Sequence, residues 1–360
     1  MNVLLLTPAY RGHPGGVQTH SRHLAEHLPE ISAVSRLDVI EFHPAFTPAN
    51  RLIQRVRTAW CYFLVTRSKF DLCWVTHVDL SPLARLIQIL GGPPYIISCH
   101  GIDVWGPLPL HKKWGLSGAR SLVAVSRHTR TQLITEREVH QKKILLLPNT
   151  FDAPAQLPEV RAASSWLRER WNLPEGFIFL YLGRLRPQDR DKGYGLVLRT
   201  VQRLNRAGIA CSFIAAGEGP DRDWLRSQAE SLGVAQHLVC PGRVPDNELS
   251  NYFRGADLFT MPSTKEGFGI TFLESLAHGT PPLGGIHDGS RDPLGEGRMG
   301  LLCDPTDPDN TFHTLHRFLT DETHPLKDQS KLIKSVHESF GYEIFRDRLR
   351  NTLKEIGPAL

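Results

Sequence analysis

Residues 263–282 read STKEGFGITFLESLAHGTPP. Two glutamates, Glu266 and Glu274, stand eight positions apart, with the triplet Gly267-Phe268-Gly269 between them. The apolar pattern of ITFLESLA has helical spacing, which places a helix start near Ile270 and a stop at Gly279, just before Pro281. Glu274 then lies just over one turn inside the helix. The two glycines permit unusual dihedrals and a close approach of a ligand to the backbone. The helix start presents unpaired N–H groups, which suit a phosphate. One carboxylate precedes those donors and one follows them, and carboxylates accept hydrogen bonds from hydroxyl groups. A surface helix carrying two solvated glutamates is the alternative, and it explains neither glycine.

The preceding run, DLFTMPS, reads as a buried strand, so the stretch is a strand, a loop and a helix. The same alternation extends outward. FIFLYLGRL, CSFIAAG, HLVCPG, PPLGG and GLLCD are short apolar runs with helical segments between them. Towards the N-terminus NVLLLTPAY, LDVIEF, DLCWVTH, YIISCHG, SLVAVS and KILLLPN form a second series. Strands alternating with helices imply parallel, doubly wound sheets. Between the series, DAPAQLPEVRAASS at 152–165 carries two prolines and no strand pattern, and reads as a linker. The expectation is an α/β protein of two Rossmann-like domains facing each other across a deep cleft, at 1–155 and 170–338. ESFGYEIFRDRLRNTLKEI reads as one amphipathic helix with Phe345, Leu349, Leu353 and Ile356 on one face. About 340–360 should pack back on the first domain.

A length of 360 residues fits two domains better than one core. The opening MNVLLLTPAY reads as a strand rather than a secretory leader, since no basic region precedes its apolar run. No apolar window approaches the length of a membrane-spanning helix. Six cysteines, scattered with no CxxC pair, argue against a disulfide framework or a zinc site and suit a reducing cytoplasm. The net charge of +5 is compatible with an ordinary solvated surface or with an anionic partner.

Three further loops could carry chemistry. HPGGVQTH at 13–20 follows the first strand, and Gly15 and Gly16 allow a tight turn into a helix start; it is not the GxGxxG dinucleotide fingerprint. SCHGIDVWG at 98–106 puts His100 and Asp103 at the carboxyl edge of a sheet, where open α/β sheets bind ligands. GRLRPQDRDKG at 183–193 offers Arg184 and Lys192, a planar fork and a point charge suited to a leaving diphosphate. Arg186 and Arg190 read as solvated. The Asp-x-Asp patterns at 189–191 and 221–223 and the acidic run 304–309 are decoys for a divalent metal, because arginines and Lys192 beside them oppose a cation.

Together these stretches resemble the family 4 retaining glycosyltransferases of GT-B fold, over nearly the whole chain. The most specific part is PSTKEGFGITFLESLAHGTPP, which is similar to the family's E-x7-E signature, with Ser275 where alanine is usual. LYLGRL…DKG resembles its GR…KG motif. LVAVSRHTR, LPNTFD, AAGEGPDRDWL and MGLLCDPTDPDN also resemble family segments. The resemblance implies a nucleotide-diphosphate sugar as donor, no metal and no other cofactor. Glu274 would hold the ribose hydroxyls. Glu266 and the backbone of Gly267, Phe268 and Gly269 would meet the transferred sugar. Arg184 and Lys192 would neutralise the diphosphate, Gly15 and Gly16 would allow close approach, and His100 would contact the sugar near the reacting carbon. Attack from the leaving-group face, with the departing phosphate taking the acceptor's proton, is implied, so Glu266 is not read as a nucleophile.

The implied acceptor is a saccharide or a lipid-linked saccharide in surface polysaccharide or glycolipid synthesis. Arg51, Arg55, Arg57, Arg67 and Lys69 mixed with Trp60, Tyr62 and Phe63, together with HKKW at 111–114, suit an anionic membrane surface. An amphipathic helix with a solvated basic face is equally compatible. The localisation expected is cytoplasmic, with possible peripheral attachment to the inner face of the membrane. Competing readings are an epimerase or hydrolase of nucleotide sugars, a sugar-nucleotide-binding protein without turnover, and nucleic-acid binding. The last rests on charge alone, with no recognisable motif.

Overall fold

The computed structural model describes residues 1–11, 15–42 and 69–357. The basic, aromatic stretch 51–68 lies outside the described residues. The chain divides into two compact units, Met1–Thr150 with Tyr342–Leu360, and Phe151–Gly341.

In the first unit, strands β1 (Asn2–Pro8), β2 (Arg36–Phe42), β3 (Leu72–Val75), β4 (Tyr95–Cys99), β5 (Ser121–Ala124) and β6 (Ile144–Leu146) form one parallel sheet. Its order is β2-β1-β3-β4-β5-β6. Helices α1 (Gly16–His27), α2 (Ser81–Ile89), α3 (Leu110–Ser117) and α4 (Arg127–Thr135) belong to the same unit. Alternate residues of β1 enter two different cores: Leu4 and Leu6 join one, Val3 and Leu5 the other. A sheet covered on both faces needs such continuous apolar runs.

The second unit repeats the plan. Helix α5 (Val160–Trp171) precedes β7 (Phe177–Leu182), α6 (Tyr194–Arg206), β8 (Cys211–Ala216), α7 (Asp221–Leu232) and β9 (Leu238–Gly242). Then come α8 (Leu249–Gly255), β10 (Leu258–Met261), α9 (Ile270–Ala277), β11 (Pro282–Gly285), β12 (Leu301–Cys303), α10 (Pro308–Thr320) and α11 (Gln329–Phe340). The parallel sheet has the order β12-β11-β10-β7-β8-β9. The chain therefore builds outward from β7 on one side, then returns to β10 on the other. That reversal is a switch point, and the loops that leave β7 and β10 lie side by side there at the carboxyl edge.

Two local readings are corrected. The expected linker is only partly extended. From Val160 it is helix α5, whose first turn is capped by Glu159 accepting from the Ala162 N–H at 2.9 Å. The expected final helix is two. Glu338–Phe340 end α11, and α12 (Tyr342–Ile356) begins after Gly341, which is extended at φ −61°, ψ 166°. Phe345, Leu349, Leu353 and Ile356 of α12 lie in the same core as Val3, Leu5 and Leu24.

Candidate active site

The loops after β7 and β10 meet at the switch point of the second unit. After β7 the chain makes a 3-10 turn, Pro187–Lys192, and enters α6. After β10 it runs through the Glu266 loop into α9. The Thr264 N–H donates to the Asp191 carbonyl at 2.9 Å and ties the two loops together. At this junction Lys192 Nζ donates to Glu266 Oε2 at 2.5 Å and to the Lys265 carbonyl at 3.4 Å. The two side chains are only 17% and 15% exposed, so solvent screens the pair weakly. Burial alone lowers the pKa of Lys192, but the adjacent Glu266 carboxylate and its hydrogen bond outweigh that, and the net direction is up. Lys192 is a fixed cation at neutral pH.

Glu266 is held at every polar atom that the loop can reach. Its second carboxylate oxygen accepts the Phe268 N–H at 3.3 Å, its carbonyl accepts the Gly289 N–H at 2.7 Å, and its own N–H donates to Asp288 Oδ2 at 2.7 Å. Asp288 also accepts Ser263 Oγ–H at 2.6 Å and the Ser290 N–H at 2.9 Å. This carboxyl is almost wholly buried, and burial pushes its pKa up to about 6 in spite of those donors. A Cβ on Gly289 would sit 2.1 Å from the Gly267 carbonyl oxygen, so the two turns touch backbone to backbone. Asp288, Ser263 and Gly289 were missed from sequence. The signal was an Asp-Gly-Ser turn after a strand, in which an aspartate accepts from the backbone two residues on.

Gly269 adopts φ +88°, ψ 76° as the residue that enters α9, and a Cβ there would lie 2.4 Å from the Phe272 ring. A side chain is strained at this position on both counts. The Phe268 ring is buried and meets Phe340 edge-on at 5.8 Å, so what Phe268 offers a ligand is backbone. Glu274 is half-buried on α9, and its carbonyl is bonded to His278 Nδ1 at 2.7 Å.

Arg184 and Lys192, two cations of this loop, stand in different surroundings. Arg184 is 67% exposed and donates through Nη2 to Asp189 Oδ1 at 2.9 Å, whereas Lys192 is enclosed. Arg190, read as solvated, is anchored. It makes a two-pronged pair with Asp221 at 2.7 and 3.0 Å and lies 4.1 Å over the Trp224 ring. Most aspartates of the Asp-x-Asp patterns and of the acidic run have partners within the second unit. Asp189 and Asp221 face arginines, Asp223 pairs with Arg226, and Asp307 caps α10 by accepting the N–H groups of Asp309 and Asn310. Among the described residues no three His, Cys, Asp or Glu side chains gather as a metal cage.

In the first unit, Gly15 (φ 149°) precedes α1, and nothing described lies within 4 Å of where a Gly16 Cβ would stand. His100 follows β4; its Nε2–H donates to the Thr76 carbonyl at 2.7 Å, and its backbone N–H to Asp103 Oδ1 at 2.9 Å. Burial lowers its pKa, which favours a neutral ring. His20, a residue without an assigned role in the sequence reading, stands edge-on to His100 at 4.8 Å. Its ring nitrogens are bonded to Asn149 Oδ1 at 2.7 Å and Ser98 Oγ at 2.9 Å. Asn149 Oδ1 can only accept, so Nδ1 carries the proton and Nε2 accepts from Ser98.

Residues 167–338 match the family model described as glycosyl transferases group 1. A D-inositol 3-phosphate glycosyltransferase of Thermobifida fusca is 32% identical over 86% of this chain and 82% of its own length. A GDP-mannose-dependent alpha-(1-6)-phosphatidylinositol monomannoside mannosyltransferase of Mycolicibacterium smegmatis is 31% identical over 64% of this chain. That match spans 61% of the relative's length. Among solved structures, Anabaena HepE in complex with UDP and glucose superposes with a TM-score of 0.77 at 17% identity, covering 98% of this chain and 99% of that one. Sucrose-phosphate synthase of Thermosynechococcus elongatus gives 0.78 at 16% identity, with 99% and 98% covered. The fold is GT-B, and the chain belongs to the group 1 glycosyltransferases.

Proposed function

We propose that this protein is a metal-independent, retaining glycosyltransferase. It moves a hexose-type sugar from a nucleotide-diphosphate sugar to a saccharide or lipid-linked acceptor, in surface polysaccharide or glycolipid synthesis. The observation that carries the reading is the enclosed Lys192–Glu266 pair beside the start of α9 at the switch point. The names of the relatives and structural neighbours support a sugar nucleotide as donor. The acceptor domain is 1–155 with the C-terminal helix of about 340–360, and the donor domain is 170–338.

As the glycosyl bond stretches, the sugar becomes oxocarbenium-like and negative charge grows on the diphosphate. Lys192 and the N–H groups of the Gly267–Gly269 loop supply fixed positive potential, which favours that charge most in the transition state. Arg184, largely in solvent, swings from Asp189 to the phosphates when donor binds. Both oxygens of Glu266 are already engaged, by Lys192 and by the Phe268 N–H, which suits a positioning carboxylate rather than a nucleophile. Glu274 accepts from the ribose hydroxyls. His100 is neutral, with its Nε2 proton directed at Thr76, and it meets the sugar by its remaining edge. Same-face attack lets the leaving phosphate accept the acceptor's proton, so retention needs no covalent intermediate.

The test is thermal shift against UDP-, GDP- and ADP-sugars, repeated with Glu274→Ala. Binding stabilises by mass action. One donor should raise the melting temperature of the wild type and not of the variant, and the same donor should then support transfer to an acceptor. Donor cleavage with equal rate in the absence of any acceptor would replace transfer by hydrolysis.

A further inference from the structure

Asp288 lies on the turn after β11 and is only 1% exposed. Its hydrogen-bond donors are all neutral. Oδ2 accepts from Ser263 Oγ–H at 2.6 Å and from the Glu266 N–H at 2.7 Å, and Oδ1 accepts the Ser290 N–H at 2.9 Å. Burial disfavours its charge, and so does the like charge of Glu266.

A proton on this carboxyl has a partner waiting. Ser263 Oγ also lies 3.3 Å from Ser290 Oγ. A protonated Oδ2 donates to Ser263 Oγ, and the serine hydroxyl turns to donate to Ser290 Oγ. A hydroxyl both donates and accepts and rotates to suit, so either charge state fits one backbone arrangement.

Asp288 is also placed to sense a ligand on the loop in front of it. It takes the Glu266 N–H, and the next residue, Gly289, donates its N–H to the Glu266 carbonyl at 2.7 Å. Gly289 also abuts the Gly267 carbonyl. The turn at 288–289 therefore backs the loop at 266–269, where the diphosphate is expected. Negative charge arriving there acts on Asp288 through an enclosed region in which screening is weak.

The other charged and titratable groups around Asp288 leave it as the group that responds. Lys192, from the loop after β7, is held charged by Glu266. The Cys303 thiol of β12 is pushed up to about 12 by burial and stays neutral. His287, its chain neighbour, is half in solvent and faces Asp304 at 3.1 Å. Arg291 is paired with Glu296.

We propose that Asp288 is a working residue of the donor site, which takes up one proton from solvent when the anionic donor binds and returns it when the site empties. The carboxylate becomes a carboxylic acid, so the site sheds one negative charge as the diphosphate brings its own. This rests on the reading of the site as one for a sugar diphosphate. A diphosphate esterified at both ends has no ionisation of its own near neutrality, so the proton belongs to the protein.

The experiment is calorimetric titration of the full chain with the UDP-, GDP- or ADP-sugar that raises its melting temperature, at pH 7 in PIPES and in imidazole. The two buffers release protons with different enthalpies, so the difference in heat counts protons bound. The wild type should take up roughly half a proton or more per donor at this pH. Its affinity should weaken on the order of tenfold from about pH 5.5 to about pH 8. Asp288→Asn mimics the protonated acid and should bind with no uptake and a flat pH dependence. A purely structural loss would weaken binding equally at every pH. His287→Gln should keep the uptake. Donor binding by the wild type without proton uptake overturns the proposal alone, with no variant needed. Uptake that persists in Asp288→Asn, or that vanishes in His287→Gln, overturns it as well. Folded wild type that binds none of the donors strikes the functional reading and this proposal with it.

Discussion

Lys192 and Asp288 flank Glu266 and carry opposite lessons about burial. Enclosing an ammonium is costly, yet Lys192 remains charged because Glu266 sits against it. Enclosing a carboxyl among hydrogen-bond donors left Asp288 with a pKa of about 6, since desolvation exceeds what three donors return. An unfolded aspartate titrates near 3.9, so between these values the folded protein holds a proton that the unfolded chain releases. The stability from this group is full below about pH 4 and is lost as pH rises through about 6, a change on the order of 3 kcal/mol. Asp288→Asn removes the titration. The melting temperature of the wild type, measured relative to Asp288→Asn, should therefore fall from pH 4 to pH 7. A difference that stays constant over that range would show that Asp288 does not titrate there. The glutamates and Lys192 were legible as residues of the right type near glycines. Asp288 was not, because its importance lies in which backbone groups it accepts from.

At the scale of the element, α9 is short and apolar, and it depends on how the chain enters it. Gly269 makes that entry in a left-handed conformation with the Phe272 ring in the place of a side chain. Gly269→Ala should cost about 1–3 kcal/mol from backbone strain, more if Phe272 is displaced. It should also diminish the donor-induced thermal shift, because the amides of this loop move. An alanine variant that melts with the wild type and binds donor equally would show that the turn has a second solution. The helix and its glycine could be read from periodicity and turn chemistry. The break at Gly341 could not be read, since YEIFRDRL continues the apolar spacing of the helix before it, and a glycine inside a helical pattern is often tolerated.

At the scale of the molecule, α12 supplies Phe345, Leu349, Leu353 and Ile356 to a core built otherwise from the first 150 residues. The chain must complete the second unit before the first has all of its core. His27 of α1 meets Tyr342 at 4.6 Å, and Arg346 pairs with Glu30 at the same margin. Leu349→Ala, at a fully buried position, should cost about 2–5 kcal/mol, from lost transfer energy and the cavity left behind. The loss should appear in unfolding of the first unit, while the donor-dependent shift of the second persists. A melt indistinguishable from the wild type would mean that the helix is not part of that core. The apolar face of α12 was visible as a stripe; the identity of its partner was not.

What the sequence determined by itself was local. Alternating apolar runs and turns dictate parallel α/β units, and Gly267, Gly269 and Glu266 dictate a tight acidic loop at a helix start. Lys192 and Arg184 mark a cationic loop after an earlier strand. Only the tertiary structure decided that β10 returns beside β7, which brings Lys192 to Glu266 across 74 residues of chain. It alone turned Arg190 to Asp221 and set Asp288 beneath the loop. The physical reason is that backbone preferences and periodicity act between near neighbours. The partner of a charge or of an apolar face is chosen by strand order and packing, which join residues that the sequence keeps far apart.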